Sequence, residues 1–306
     1  MSSVKKIAVI DLGSNSIRMS VFGVLKNQKI KTLKNYRSMV RLSEGMGNNL
    51  LLCEEAMLRT IDAAREYKKI IDAEGIETVL AVATAAVRKA VNGADFVEEM
   101  YKKTGIRIEV IDGEREAYYD FLAIRSLGIE KGIICDIGGG STELIYISGE
   151  KGELPKSISI PIGSRLICEK FFKDGESVRA LNKAEEFFDT EMKKVDWLSS
   201  AENVPLIGIG GSLRAIAKFD MNDNSKKPIS VHKVSRERMD EICGIISDAT
   251  LEQRETFAGI GEERANIIMG GIVLLKCVNN VINPPMAIIA DVGVREGVIV
   301  DFLKSE

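Results

Sequence analysis

The chain has a single histidine, His232. Reaction classes that need two imidazoles, such as two-histidine metal centres and paired histidine acid/base schemes, are therefore excluded. Acid/base work falls to carboxylates. The five cysteines (Cys53, Cys135, Cys168, Cys243, Cys277) are widely spaced and form no CxxC pair. That pattern suggests neither a disulfide framework nor a thiolate zinc site, and they read as buried thiols. No run reaches the ~18 consecutive apolar residues of a membrane span, and the opening MSSVKKIAVIDLGS turns polar too soon for a signal peptide. The expectation is a cytoplasmic protein with no membrane partner. An excess of positive charge is also missing. The net charge of −3 argues against general nucleic-acid binding, which draws most of its affinity from Lys and Arg on phosphates. Any anion site must be local.

The 306 residues, 45% hydrophobic and 28% charged, suit an ordinary globular chain of two domains at ~150 residues each. Strand-like Ile7–Ile10 runs into the turn residues Asp11-Leu12-Gly13-Ser14-Asn15-Ser16, and apolar sequence resumes at Ile17. This predicts a β-hairpin. The pattern returns where Ile133-Ile134-Cys135 leads into Asp136-Ile137-Gly138-Gly139-Gly140-Ser141-Thr142 and then Glu143-Leu144-Ile145-Tyr146-Ile147. Asp11 pairs with Asp136, Gly13 with Gly138 and Ser16 with Ser141, each at an offset of 136 − 11 = 125 residues. A repeat that long is a whole domain rather than a solenoid unit. Between and after the hairpins, strand and helix patterns alternate, which favours α/β. Helices are expected over 54–73, 94–103, 181–198, 262–281 and 294–303, and strands over 78–83, 106–111 and 204–209. Segment 222–228 reads as an exposed loop. The domains are placed at 1–126 and 127–306, related by duplication and facing one cleft, with the closing helix near 294–303 free to pack back on the first.

Three glycines in Asp136-Ile-Gly-Gly-Gly-Ser-Thr-Glu143 let backbone N–H groups approach an oxyanion. A glycine-rich hairpin with no ligand would look the same in isolation. The related turn at Gly13–Ser16 and the strand-to-glycine junction at Gly208–Ser212 favour the phosphate reading. Asp136 and Glu143 bracket the second turn and offer hard oxygen ligands suited to Mg²⁺, with Asp11 as a third candidate. A turn cap and a hairpin-face glutamate are the structural alternative. Arg88 lies just past the strand ending at Ala83, where ligands gather in open α/β sheets, although for a lone arginine a surface ion pair is the more ordinary use. Glu116, where a strand turns into a helix, either faces the site or only complements the helix dipole. Cys53 and Arg59 share the C-x5-R spacing of cysteine phosphatases. The loop between them holds Glu54, Glu55 and no glycine, so it cannot wrap an anion.

Taken together, AVIDLGSNSIRM, ATAAVRKA, EVIDGEREA, CDIGGGSTEL, PIGSRL, GIGGS and DVGVREGV resemble the exopolyphosphatase and guanosine pentaphosphate phosphohydrolase family. That family belongs to the actin-like, sugar-kinase-like (ribonuclease H-like) superfamily of duplicated domains. The resemblance implies a catalytic role for Glu116, a phosphate contact for Arg88 and metal association for Asp136 and Glu143. It also implies phosphate-binding turns at Ser14, Asn15, Gly138, Gly139, Gly140, Ser141, Gly210 and Gly211, to which the junction adds Ser212. Implied with them are magnesium as cofactor, inorganic polyphosphate or guanosine pentaphosphate as substrate, and a homodimer.

This chain departs from the pattern at Ala85, Asp112, Arg115 and Ser212. Arg115 is expected to alter the charge beside Glu116. The absence of the extra helical domains of longer members leads us to expect short polyphosphates. A superfamily kinase and a non-catalytic nucleotide-binding protein are the rival readings.

Overall fold

The computed structural model describes residues 4–305 apart from 26–28, 48, 151, 152, 154, 202, 226 and 230. The expected signal-free opening at residues 1–3 and residue 226 of the 222–228 loop lie outside that set. The chain divides into two compact units, residues 1–123 with 294–306, and residues 124–293.

In unit 1 the chain runs β1 (Lys5–Leu12), β2 (Ser16–Val24), β3 (Ile30–Met39), α1 (Glu54–Ala73), β4 (Thr78–Ala83), α2 (Ala85–Lys89), α3 (Gly93–Thr104), β5 (Glu109–Val110) and α4 (Gly113–Ser126). The sheet order is β3-β2-β1-β4-β5. β1 pairs antiparallel with β2 and parallel with β4. β1 is apolar on both faces because both are covered. Ala8, Ile10 and Leu12 enter the core shared with Ile61 and Phe96, and Ile7 and Val9 enter a second core with Tyr119 and Leu122.

Unit 2 continues with β6 (Gly132–Ile137), β7 (Thr142–Ile147), β8 (Lys156–Ile160), α5 (Ser164–Phe171), α6 (Val178–Met192), a 3₁₀ turn (Leu198–Ala201), β9 (Leu206–Ile209) and α7 (Gly210–Asp220). Then come β10 (Val231–Ser235), α8 (Arg236–Asp248), α9 (Leu251–Thr256), α10 (Gly261–Ala265), α11 (Ile268–Ile282) and β11 (Met286–Ala290). Its order, β8-β7-β6-β9-β11-β10, repeats the unit 1 sheet through its first five strands, with the antiparallel β10 added at one edge. Local chemistry sets several helix starts. Ser177 and Ser235 accept the Ala180 and Arg238 N–H groups, and Thr250 with Gln253 forms a capping box. α11 is apolar almost all round and is the buried centre of this unit. α12 (Val294–Ser305) then returns to unit 1, where Val294, Val298 and Ile299 join the core of Ile7, Val9 and Phe22.

The repeated sheet is that of a duplicated, actin-like α/β fold, as the 125-residue offset implied. Two expected helices are shorter than predicted. The segment 181–198 leaves the helix after Met192, and 262–281 breaks into α10 and α11. No helix among the described residues is long and apolar enough to cross a membrane.

Candidate functional site

The two aspartate turns share one backbone hydrogen bond. Gly13 N donates to Ser16 O at 3.1 Å, and Gly138 N donates to Ser141 O at 3.0 Å. In each half the segment after the third strand binds the turn's carbonyls. Ser14 O accepts from Ser43 N (3.0 Å) and Asn15 O from Arg41 N (2.9 Å). Gly138 O accepts from Ser164 N (2.9 Å) and Gly139 O from Arg165 N (3.1 Å). The described peptides are trans. Tying back these carbonyls therefore turns the N–H groups of Asn15 and Ser16, and of Gly139 and Gly140, the opposite way, as an anion cradle requires. A side chain on Gly163 would overlap Gly139 and Gly140, so the contact between turn and α5 needs glycine there.

In unit 1, Asp11 is half-buried in the row with Arg18, its partner on β2. Burial pushes its carboxyl above the usual range, and the charges of Arg18 and Arg295 only partly oppose this. Arg88 projects from α2, immediately past β4. Its Nη1 donates to Ile111 O and to Glu116 Oε2, both at 2.9 Å. Glu116 is 7% exposed. Asp112 Oδ1 accepts the Arg115 N–H at 2.7 Å and so caps the helix that carries Glu116. The expected effect of Arg115 on Glu116 is redirected by this geometry. Its guanidinium turns to Tyr119 Oη (2.9 Å) and Asp301 Oδ2 (2.7 Å) and lies over the Tyr119 ring.

In unit 2, Asp136 and Glu143 are register partners on β6 and β7, so both carboxylates emerge on one face of the sheet. Glu143 is buried and accepts from Ser159 Oγ at 2.7 Å. Gly210 opens α7 with φ +82°, and a Cβ there would overlap Asp136 Oδ1. Only glycine serves on both counts. Ser141 is buried. Ser212 is also buried, and its Oγ, packed toward Gly271, has no hydrogen-bond partner among the described residues. Its means of meeting an anion is the backbone N–H in the first turn of α7.

Sequence reasoning missed Arg264. From α10 its guanidinium packs directly on Gly211, where a Cβ would overlap Nη2. This puts a permanent positive charge beside the start of α7. No local motif marks it, because the contact joins segments far apart in the chain. The rejected C-x5-R pair is structural. Cys53 Sγ donates to Glu44 O, and Arg59 binds Val40 O and Glu44 Oε2.

The arrangement within each unit can hold phosphate oxygens on backbone N–H groups, and unit 1 adds a buried, guanidinium-bound carboxylate. The chain is similar to known proteins along most of its length. A solved exopolyphosphatase from Cytophaga hutchinsonii is 26% identical, with TM-score 0.90 and 98% of each chain covered. The solved Aquifex aeolicus member of the Ppx/GppA family is 28% identical, with TM-score 0.81 and 99% of each covered. A bifunctional 3-dehydroquinate synthase/phosphatase of Fusobacterium nucleatum is 31% identical over 288 residues, which is 88% of this chain but 42% of that longer protein. The family model for Ppx/GppA phosphatases matches residues 22–306. With the repeated turns, the five-strand order in each half and a match over nearly its whole length, the chain belongs to the Ppx/GppA phosphatase family.

Proposed function

We propose that the protein is an exopolyphosphatase that releases the terminal phosphate of inorganic polyphosphate, and that Glu116 is its general base. The observation that carries this reading is the Glu116 carboxylate, 7% exposed and held by Arg88 Nη1 at 2.9 Å. An acid/base group must be fixed in direction before it can take a proton from an in-line water, and an arginine at that spot also neutralises charge on the transferring group. Ser14 and Asn15 in unit 1, and Gly139, Gly140, Ser141 and Gly210 to Ser212 in unit 2, bind phosphate through their N–H groups, while Gly138 shapes its turn by donating to Ser141 O. Arg88 and Arg264 add charge. Most of the acceleration in such a site comes from positioning and electrostatics rather than covalent chemistry.

Magnesium suits the donors present. Asp136 and Glu143 place hard oxygens on one sheet face, and Asp11 offers another in unit 1. Carboxylate oxygens of this kind suit a hard ion that keeps waters and phosphate oxygens as further ligands. When bound, it would neutralise charge on the phosphates. We read the protein as cytoplasmic and homodimeric; sedimentation of the purified protein reports the second.

The test is phosphate release from short polyphosphate, long polyphosphate and guanosine pentaphosphate, with Mg²⁺ or chelator, for wild type and Glu116→Gln. Metal-dependent release from polyphosphate that collapses in the variant is expected. Faster turnover of guanosine pentaphosphate would reassign the substrate. Full activity in Glu116→Gln would remove the base. Transfer of phosphate from ATP to a small acceptor, with none released to water, would make the protein a kinase.

A further inference from the structure

Glu116 sits in the first turn of α4, and α4 is joined to the sheet through β5, which is two residues long and pairs with β4 only at Glu109 and Val110. So short a strand is a weak anchor for a catalytic side chain, which needs its direction fixed closely. Arg88 holds the Glu116 carboxylate from α2, and α12 adds a second set of contacts to the turn. Arg115, next to Glu116, donates from Nη2 to Asp301 Oδ2 at 2.7 Å and from Nε to Tyr119 Oη at 2.9 Å, and its guanidinium stacks 4.8 Å from the Tyr119 ring centroid. The two helices also meet backbone to backbone, since a Cβ on Gly297 would overlap the Tyr119 carbonyl. At its other end α12 holds the hairpin of the first phosphate turn. Arg295 Nη1 donates to Ser20 Oγ at 2.9 Å, and Ser20 is fully buried on β2, the strand that leaves the turn.

From this geometry we propose that α12 is a brace. It holds the helix bearing Glu116 in fixed register with the Asp11–Ser16 hairpin, and Arg115, Asp301 and Arg295 are positioning residues. The catalytic part of this inference rests on Glu116 being the base; the mechanical part does not. The Arg115–Asp301 pair is partly exposed, at 46% and 21%, so it contributes little to global stability. Its effect is local, on the direction of one turn.

The experiment combines kinetics on polyphosphate with amide hydrogen exchange of residues 114–117 for Arg115→Ala, Asp301→Ala and the exchanged pair Arg115→Asp/Asp301→Arg. Each single variant should exchange faster in that turn. Its kcat should fall on the order of tenfold, with KM and melting temperature near wild type and the acid limb of the kcat/KM profile unmoved. The exchanged pair should recover most of both losses. Unchanged exchange in the single variants overturns the brace whatever the kinetics. Faster exchange with wild-type kcat, in a protein that Glu116→Gln inactivates, overturns the positioning role. A shifted acid limb would show Arg115 acting by charge instead, which also overturns it. Full activity in Glu116→Gln removes the base, while the exchange data still judge the brace.

Discussion

Arg88 Nη1 serves two acceptors at once, Ile111 O and Glu116 Oε2, each at 2.9 Å. One nitrogen therefore ties the carboxylate to the backbone just ahead of α4. Lysine keeps the charge but lacks the rigid, planar guanidinium that fixes the direction of this nitrogen. Glu116→Gln is expected to lower kcat by about 10²–10⁴-fold, the usual contribution of a general base, with KM little changed. Arg88→Lys should lose kcat and raise KM together. Steady-state phosphate release measures both.

Gly210→Ala puts a Cβ at φ +82° and onto Asp136 Oδ1. The backbone conformation alone costs about 1–3 kcal/mol, and relief of the overlap must displace Asp136. Reduced stability and reduced activity are both expected. Gly244→Ala is the control. It lies exposed in α8 with nothing within 4 Å of the new methyl, and should stabilise by about 0.5–1 kcal/mol. Urea midpoints separate the two.

Arg254 is 2% exposed and grips Glu176 with two nitrogens, at 2.8 and 2.6 Å, while Nε binds Ile246 O. Removing one partner of a buried pair costs about 3–5 kcal/mol. Glu176 is partly exposed, which places Arg254→Ala nearer about 3 kcal/mol. Arg254→Lys should recover less than half of this, as read by chemical denaturation.

Asp220 accepts from His232 Nε2 at 2.7 Å and from Arg238 Nε at 2.8 Å. Burial pushes its carboxyl up, but the bonds and charges of these two partners outweigh that and hold it below its ordinary value of 3.8. A depressed carboxyl stabilises the folded state above the ordinary value, and the stabilisation is lost as pH falls through the lower folded value. Wild type should therefore lose stability below about pH 4 more steeply than Asp220→Asn. Urea midpoints between pH 3 and pH 7 test the slope.

Much of the site was legible because it depends on local backbone chemistry. The glycines of both turns announce themselves, and the 125-residue offset reappears as the paired bonds Gly13–Ser16 and Gly138–Ser141. Glu54–Ala73 was readable end to end from its apolar spacing. The break between α10 and α11 was not, since apolar residues continue through Ala265, Ile267 and Ile268 and the periodicity does not register a change of axis. β3, with Lys31, Lys34 and Arg37 exposed along a sheet edge, lacks the apolar alternation that identifies a half-buried strand. Arg264 and the turn of Arg115 toward Asp301 depend on tertiary contacts, which no spacing rule records.

The return of α12 to unit 1 sets an order on synthesis. Residues 124–293 leave the ribosome as a continuous stretch with its own core, whereas the face formed by Ile7, Val9 and Phe22 waits for Val294, Val298 and Ile299, translated after all of unit 2. During elongation one apolar face of the first-made sheet is covered only in part, by Ile111, Tyr119 and Leu122, and the rest stays open to solvent and to chaperones. The unit made first is thus the last to be finished.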